Sequence, residues 1–211
     1  MKTLAETNLI EFLTNSDNLP FAVEILRLGD EIRRPILARF WRDLHRRLEE
    51  SRDRSLDAAS MQLRLVPDER LTNPLDTDLS YGDVRMENAE QSLSYFVEKE
   101  YGKNYFAIYF GIAWRDEMPS KSSKLHKLKP VSKLREKLEE MEFETRFEKT
   151  ITAMGWQALL KYDSLDDFLA DFAKEPEGIL REITDRFWLL VKKTITAVEQ
   201  ANAAIIGRTD E

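Results

Sequence analysis

The feature that most constrains the fold is an apolar run at residues 104–114, NYFAIYFGIAW. It is rich in aromatic and β-branched residues, which favour β-strands over helices. Its apolar residues follow one another with little polar alternation, so both faces of such a strand need to be covered. We therefore expect a central strand with other parts of the chain packed on either side.

Several other segments show a clear helical or strand period. Residues 31–51 form an amphipathic helix whose apolar stripe comprises Ile36, Leu37, Phe40, Trp41, Leu44 and Leu48. The pattern predicts a long helix at 177–204, and helices at 131–141 and 164–173. Alternating residues predict strands at 60–66, 142–149 and 156–162, with a turn at Gly155.

Residues 67–84 contain turn-forming residues and are predicted to be a loop. Residues 85–101 place Met86, Leu93 and Val97 at helical spacing, so we predict a helix there. Strands interspersed with helices indicate an α+β fold. The expected architecture is a helix-rich domain with a small, mainly antiparallel sheet, on which the long helices of the N-terminal half and the C-terminus pack.

A length of 211 residues fits one large domain, and no Pro/Gly/Ser-rich linker divides the chain. We predict a single α+β domain over residues 1–211, with a helical extension at 1–30 and a core at 31–204. The first helix, at 3–15, is expected to turn Leu4, Ile10, Leu13 and Phe12 inward.

Composition excludes several kinds of chemistry. The chain has no cysteine, so it has no disulfide scaffold, thiolate-bound metal or thiol nucleophile. Its two histidines are His45 and His126, too few for a multi-histidine metal centre. The two nearest glycines, Gly102 and Gly111, lie too far apart for a phosphate-binding loop. We therefore expect no cofactor, no bound metal and no membrane span, and we place the protein in the cytoplasm.

A metal-dependent nuclease often carries a Glu or Gln two residues before a Lys. The side-chain oxygen of the Glu or Gln lies on Mg²⁺, and the lysine approaches the attacking water. No lysine in this chain is preceded in that way. We therefore assign no catalytic residue. An atypical carboxylate site stays open, because Mg²⁺ needs only one or two protein carboxylates.

Positive charge is concentrated in residues 121–137, KSSKLHKLKPVSKLREK. This segment carries a net charge of +6, whereas the whole chain carries −7. Such a segment could neutralise phosphates or bind an acidic protein, or it could be an ordinary solvated loop and helix start. The candidate binding residues in it are Lys121, Lys124, His126, Lys127, Lys129, Lys133 and Arg135.

A second concentration of positive charge is the run of arginines at 27–54, with Arg39, Arg42 and Arg46 as candidate binding residues. Guanidinium groups suit both phosphates and carboxylates. The same segment contains acids such as Asp43 and Glu49. The sequence therefore leaves two alternatives for these arginines. They pair with acids of the same chain, or they form a free binding face.

A series of aromatic and aliphatic landmarks adds a resemblance. Phe40 and Trp41 on a helix are followed by a strand with Tyr109 and Gly111, and the later landmarks are Trp156, Phe168–Leu169, Ile179 and Ile183. Over about residues 31–200 this resembles the C-terminal, non-catalytic region of microbial PD-(D/E)xK nuclease-family proteins. The catalytic carboxylates and lysine of that family have no counterpart here. The resemblance implies a microbial or phage protein of a nucleic-acid-handling system, in defence or counter-defence.

The leading hypothesis is a non-enzymatic protein that binds a nucleic acid or an acidic protein through the basic segment. Two alternatives remain: a divergent Mg²⁺-dependent nuclease that uses clustered acids, and an acidic inhibitor that mimics nucleic-acid charge. Exposed aromatic residues would indicate a homodimer or a larger homo-oligomer.

Overall fold

The computed structural model describes residues 4–55, 64–67, 81–87, 92–102, 104–115, 124–141, 147–148, 150 and 153–209. The helices in this part of the chain are α1 (Leu4–Thr14), α2 (Leu19–Arg27), α3 (Gly29–Ser55), a 3₁₀ helix (Lys124–Lys127), α4 (Lys129–Glu140), α5 (Leu165–Lys174) and α6 (Pro176–Thr209). The strands are β1 (Arg64–Pro67), β2 (Tyr81–Glu87), β3 (Leu93–Gly102), β4 (Tyr105–Trp114) and β5 (Ala153–Tyr162).

The five strands form one antiparallel sheet in the order β1-β2-β3-β4-β5, so each strand pairs with its neighbour in the chain. The register sets Val97 opposite Phe110 between β3 and β4, and Phe110 opposite Gln157 between β4 and β5. The predicted α+β class with a mainly antiparallel sheet is confirmed. None of the described helices is long and apolar enough to cross a bilayer.

The main hydrophobic core lies between one face of this sheet and the helices. Helix α6 contacts β3 and β4, and helices α3, α4 and α5 all pack against α6. The apolar stripe predicted for residues 31–51 is confirmed, since Leu37, Phe40 and Leu44 are fully buried in this core. Phe40 makes edge contacts with the rings of Phe168 and Phe172, which join α3 to α5.

Polar contacts fix the position of α6 on the sheet. The Asn202 side chain accepts hydrogen bonds from the backbone N–H groups of Ser92 and Leu93, at 3.1 and 2.8 Å. The Thr194 hydroxyl donates to the carbonyl of Leu190 and accepts from the Tyr95 hydroxyl at 2.9 Å. These side chains lie in the core, where an unmet hydrogen bond is costly. They therefore specify one register of α6 against β3.

The predicted central strand at 104–114 is confirmed as β4, which is buried over most of its length. The helix predicted at 85–101 is wrong, because this segment contributes to β2 and forms most of β3. Residues Leu93–Val97 of β3 are all buried, so apolar side chains lie on both faces and do not alternate. Without that alternation, their spacing matched a helix by coincidence. The loop predicted at 67–84 is also wrong from Tyr81 onward, where β2 begins.

Other predictions are met only in part. Strand β1 begins at Arg64, and the earlier residues of the predicted strand 60–66 lie outside the described part of the chain. Residues 142–146 of the strand predicted at 142–149 also lie outside it, while Glu148 forms a backbone bridge with Trp156. Gly155 is not a turn but lies within β5. Ile10 and Phe12 of α1 were expected inward and are exposed, at 41 and 61%.

A close approach between β4 and β5 requires glycine at position 111. A Cβ atom built there would lie 2.2 Å from the carbonyl oxygen of Gly155 and 2.9 Å from the Cα atom of Trp156. Both atoms belong to the backbone, so no side-chain rotation relieves the clash. The β4–β5 register is irregular beside this site, between Ile112 and Ala113.

We predict that Gly111→Ala lowers the free energy of unfolding by about 2–3 kcal/mol, because the two strands must separate. Urea unfolding followed by circular dichroism measures this change. Gly207→Ala is the matched control, since a Cβ atom there meets nothing within 4 Å in helix α6. The control should gain up to about 1 kcal/mol from helix propensity. Equal midpoints for the two variants would contradict the close-approach argument.

Candidate nucleic-acid interface

The basic segment adopts two short helical elements. Its described part is the 3₁₀ helix at Lys124–Lys127 followed by α4, which begins at Lys129 with Pro130 in its first turn. Proline suits this position because its missing N–H has no helical acceptor to lose. Val131, Leu134 and Leu138 are buried, and α4 packs on α6 and β5. Of the candidate residues in this segment, Lys121 lies outside the described residues.

Burial of one side of α4 turns its lysines outward. Lys129, Lys133 and Lys137 are exposed and recur every four residues, so they form one stripe along the helix. Lys124 and Lys127 on the 3₁₀ helix are also exposed. In the part of the chain that the structure describes, none of these five ammonium groups has an ion-pair partner. We call Lys124, Lys127, Lys129, Lys133 and Lys137 the lysine surface.

The N-terminus of α4 adds to the positive potential of this surface. The residue before it, Leu128, makes no side-chain cap, and the first turn contains no acidic residue. Helix N-termini carry a partial positive charge from their unpaired N–H groups. The acids of α4 begin only at Glu136, which accepts a hydrogen bond from Ser132. Positive charge is therefore greatest over the first half of α4.

His126 and Arg135 lie behind the lysines and hold the 3₁₀ helix against α4. The Arg135 guanidinium lies 2.6 Å from the His126 Nδ1 atom. Because arginine can only donate, Nδ1 accepts this hydrogen bond. The His126 ring also makes an edge contact with Trp114 at the end of β4. Partial burial lowers the pKa of Arg135 below its ordinary value. These two candidates therefore position the lysines.

The arginines of α3 are arranged differently from the lysines. Arg39 and Arg46 both pair with the carboxylate of Asp43, at 3.5 and 3.3 Å. Arg47 pairs with Glu177 at the start of α6. Arg42 is exposed, and no ion pair joins it to another residue of the described chain. Pairing within the chain thus accounts for two of the three arginine candidates. Helices α3 and α4 share no extensive contact, so the two groups of candidates are not brought together.

A cavity of about 570 Å³, which the sequence did not indicate, lies at the end of the sheet. Its lining includes Tyr105, Tyr109, Lys161, Asp163 and Asp167. The Tyr105 hydroxyl donates to Glu100 at 2.6 Å, which raises the pKa of Tyr105 to about 12. Burial raises the pKa of Tyr109 above its ordinary value, and nearby carboxylates add a smaller increase. Both phenols keep their protons at neutral pH, so neither can act as a base, and the Tyr105 proton is already donated to Glu100.

The acidic clusters of the sequence do not assemble into a metal centre in the structure's described part. No three His, Asp or Glu side chains there are placed to hold an ion together. The acids Asp163, Asp166, Asp167 and Asp171 instead surround the start and surface of α5. The Asp167 N–H donates to the Ser164 hydroxyl, which caps the start of α5.

Comparison with known proteins identifies no relative, since no family model, curated protein or solved structure matches this chain.

The Arg33 guanidinium shows how an arginine of α3 pairs with carboxylates of its own helix and of α5. It donates from Nε and Nη2 to the two carboxylate oxygens of Asp166, both at 2.7 Å, and from Nη1 to Asp30. The hydrogen bonds from Arg33 lower the pKa of Asp166 below its ordinary value of 3.8. The charged pair therefore stabilises the fold when the pH is above 3.8, the ordinary pKa of Asp166. Its contribution to the free energy of unfolding disappears as the pH falls through the lowered pKa.

We predict that Arg33→Gln lowers the free energy of unfolding at pH 7 by about 1 kcal/mol, since both groups are partly in solvent. The difference from the unsubstituted protein should shrink toward zero as the pH falls below 3.8. Urea midpoints measured from pH 7 down to pH 2 follow this change. Lys174→Gln removes an exposed pair with Asp171 and should have almost no effect at any pH. A difference that persists at low pH would contradict the pairing.

Proposed function

We propose that the protein is a non-enzymatic interaction protein that binds the phosphate backbone of a nucleic acid through the lysine surface. The observation that carries the proposal is the outward projection of five ammonium groups, none with an ion-pair partner in the described chain. Such groups displace condensed counterions from a nucleic acid, which is the main source of sequence-independent affinity.

The surroundings of the lysine surface support this proposal. The chain as a whole carries −7, so a free basic surface stands out against an acidic molecule. The Arg135–His126 contact and the buried side of α4 hold the lysines on a fixed support. A rigid support lowers the entropy lost on binding. Lys127 and Lys129 are exposed and lie at the N-terminus of α4, where a phosphate is favoured.

Several details of the proposal follow from the sequence. We place this activity in the cytoplasm. The family resemblance implies a microbial or phage system that handles nucleic acid. Contacts to phosphate discriminate little between base sequences. The aromatic ring that contacts His126 beside the lysine surface is Trp114, which is buried. Binding should therefore depend on backbone charge rather than on stacking of bases.

We predict that Lys124→Gln/Lys127→Gln/Lys129→Gln weakens binding to a labelled single-stranded oligonucleotide about 100-fold at 0.1 M salt. The slope of log K against log salt should change from about −3.5 to about −1.4, since five contacts become two. Fluorescence anisotropy at several salt concentrations measures both quantities. A duplex of the same length shows whether the protein prefers single strands.

The matched control is Lys161→Gln/Lys174→Gln/Lys192→Gln, which removes the same charge from outside the lysine surface. It should bind within about threefold of the unsubstituted protein. Equal losses in both triple variants would overturn the proposal, because global charge would then explain binding. Binding to polyglutamate but not to either oligonucleotide would identify an acidic protein as the partner class. Cleavage of the oligonucleotide with Mg²⁺ or Mn²⁺ would contradict the non-enzymatic assignment.

A further inference from the structure

The first two helices and the first turn of α3 expose an unusual amount of apolar surface. Of the twelve large hydrophobic side chains that the described chain exposes, eight lie between residues 9 and 32. They are Leu9, Ile10, Phe12, Leu19, Phe21, Val23, Ile25 and Ile32, each between 41 and 69% exposed. We call these eight residues the apolar hairpin surface. Monomers rarely leave such a concentration of large apolar side chains open without a binding role.

The apolar residues of α2 lie on two opposite sides of the helix. A partner that packs on one side alone cannot cover them. At about 100° per residue, Phe21 and Ile25 lie nearly opposite Leu19 and Val23 around the helix. All four are at least 48% exposed. A helix that is apolar on most sides is normally surrounded by protein. In this chain α2 packs mainly on α1 and on α3, which leaves both of its apolar sides open.

The exposed apolar residues of α1 share one side of that helix. Leu9, Ile10 and Phe12 fall within one arc of the helix, while the exposed Glu11 lies on the other side. Helices of 11 and 9 residues, the lengths of α1 and α2, are marginal in water without packing. The hairpin therefore needs a partner surface that contributes apolar contacts on more than one side.

We propose that this partner is a second copy of the same hairpin, so that two chains form a four-helix bundle from α1, α2 and their symmetry mates. Two contacting helices joined by a short turn can form half of such a bundle, and a two-fold axis pairs one patch with itself. The second hairpin supplies two helices, as the two open sides of α2 require.

The size of the patch fits a stable dimer. Taking roughly 170 Å² for a whole side chain of this size, eight half-exposed side chains leave about 700 Å² of apolar surface. A standard protein interface buries about 800 Å² on each partner. The charge pattern disfavours a lipid surface as the occupant. Residues 4–26 contain no Lys or Arg, whereas helices that lie on membranes carry basic residues on their polar side.

The test compares oligomeric states by sedimentation velocity and light scattering over a range of protein concentrations. The unsubstituted protein should reach twice its chain mass of 24.7 kDa. Phe12→Ser/Phe21→Ser should weaken the dimer at least tenfold, because these rings are the most exposed of the patch, at 61 and 69%. Leu189→Ser/Ile206→Ser, which alters two exposed apolar residues of α6, should leave the dimer intact. Thermal unfolding should confirm that the core of both variants remains folded.

Hydrogen exchange supplies a second measurement. Amide protection of residues 7–27 should rise with protein concentration through the dimerisation range and should stay low in the Phe12→Ser/Phe21→Ser variant. A protein that stays at 24.7 kDa at every concentration would overturn the proposal. So would loss of the dimer in the α6 variant alone. Binding to phosphatidylglycerol–phosphatidylcholine vesicles by a chain that remains monomeric would identify a membrane as the occupant instead.

Discussion

The packing of α6 across the inner face of the sheet is the constraint on which the rest of the structure depends. Helices α3, α4 and α5 all rest on α6, and α6 rests on β3 and β4. Asn202 secures one end of this arrangement by bonding the backbone where β3 begins. The contact between Thr194 and Tyr95 secures its middle. A shift of α6 by one residue would break these bonds and leave buried polar groups without partners.

The placement of the lysine surface follows from this packing. Leu134 and Leu138 bury one side of α4, so the stripe of Lys129, Lys133 and Lys137 has only solvent to face. The acids elsewhere in the molecule are engaged in other ways. Asp43 and Asp166 pair with arginines of α3, and Glu100 accepts from Tyr105. Part of the chain's negative charge is thus paired elsewhere in the molecule, so these acids do not neutralise the lysine surface.

Much of this fold could be predicted from local patterns. The stripe from Leu37 to Leu48 and the capping residue Ser164 each follow from rules that act within one or two helical turns. The strand at 104–114 could also be predicted, because its apolar run is bounded and aromatic. The errors at 85–101 arose where burial on both faces removes the alternation that marks a strand. No local signal distinguishes Leu93–Val97 in such a setting from one side of a helix.

The candidate site was predictable in its charge but not in its geometry. The excess of lysine at 121–137 is visible in the sequence, whereas the contact between Arg135 and His126 depends on how the 3₁₀ helix folds back on α4. The pairing of Arg39 and Arg46 with one carboxylate was foreseeable, since Asp43 lies four and three residues from them. The exposure of Phe12 and Phe21 was not, because an apolar residue looks the same in sequence whether a core or another molecule covers it.

The order of the strands also bears on how quickly the chain can find its fold. Each strand pairs with the next one along the chain, so the sheet grows from contacts between near neighbours. The β3–β4 pair closes the shortest loop, between Gly102 and Tyr105, and loses the least chain entropy in doing so. β5 joins only after residues 115–152 have been brought across. On a ribosome, the first three strand pairings could therefore form before α6, which packs on β3 and β4, has been synthesised. Until α6 emerges, the apolar face of β3 and β4 would be partly open and prone to aggregation.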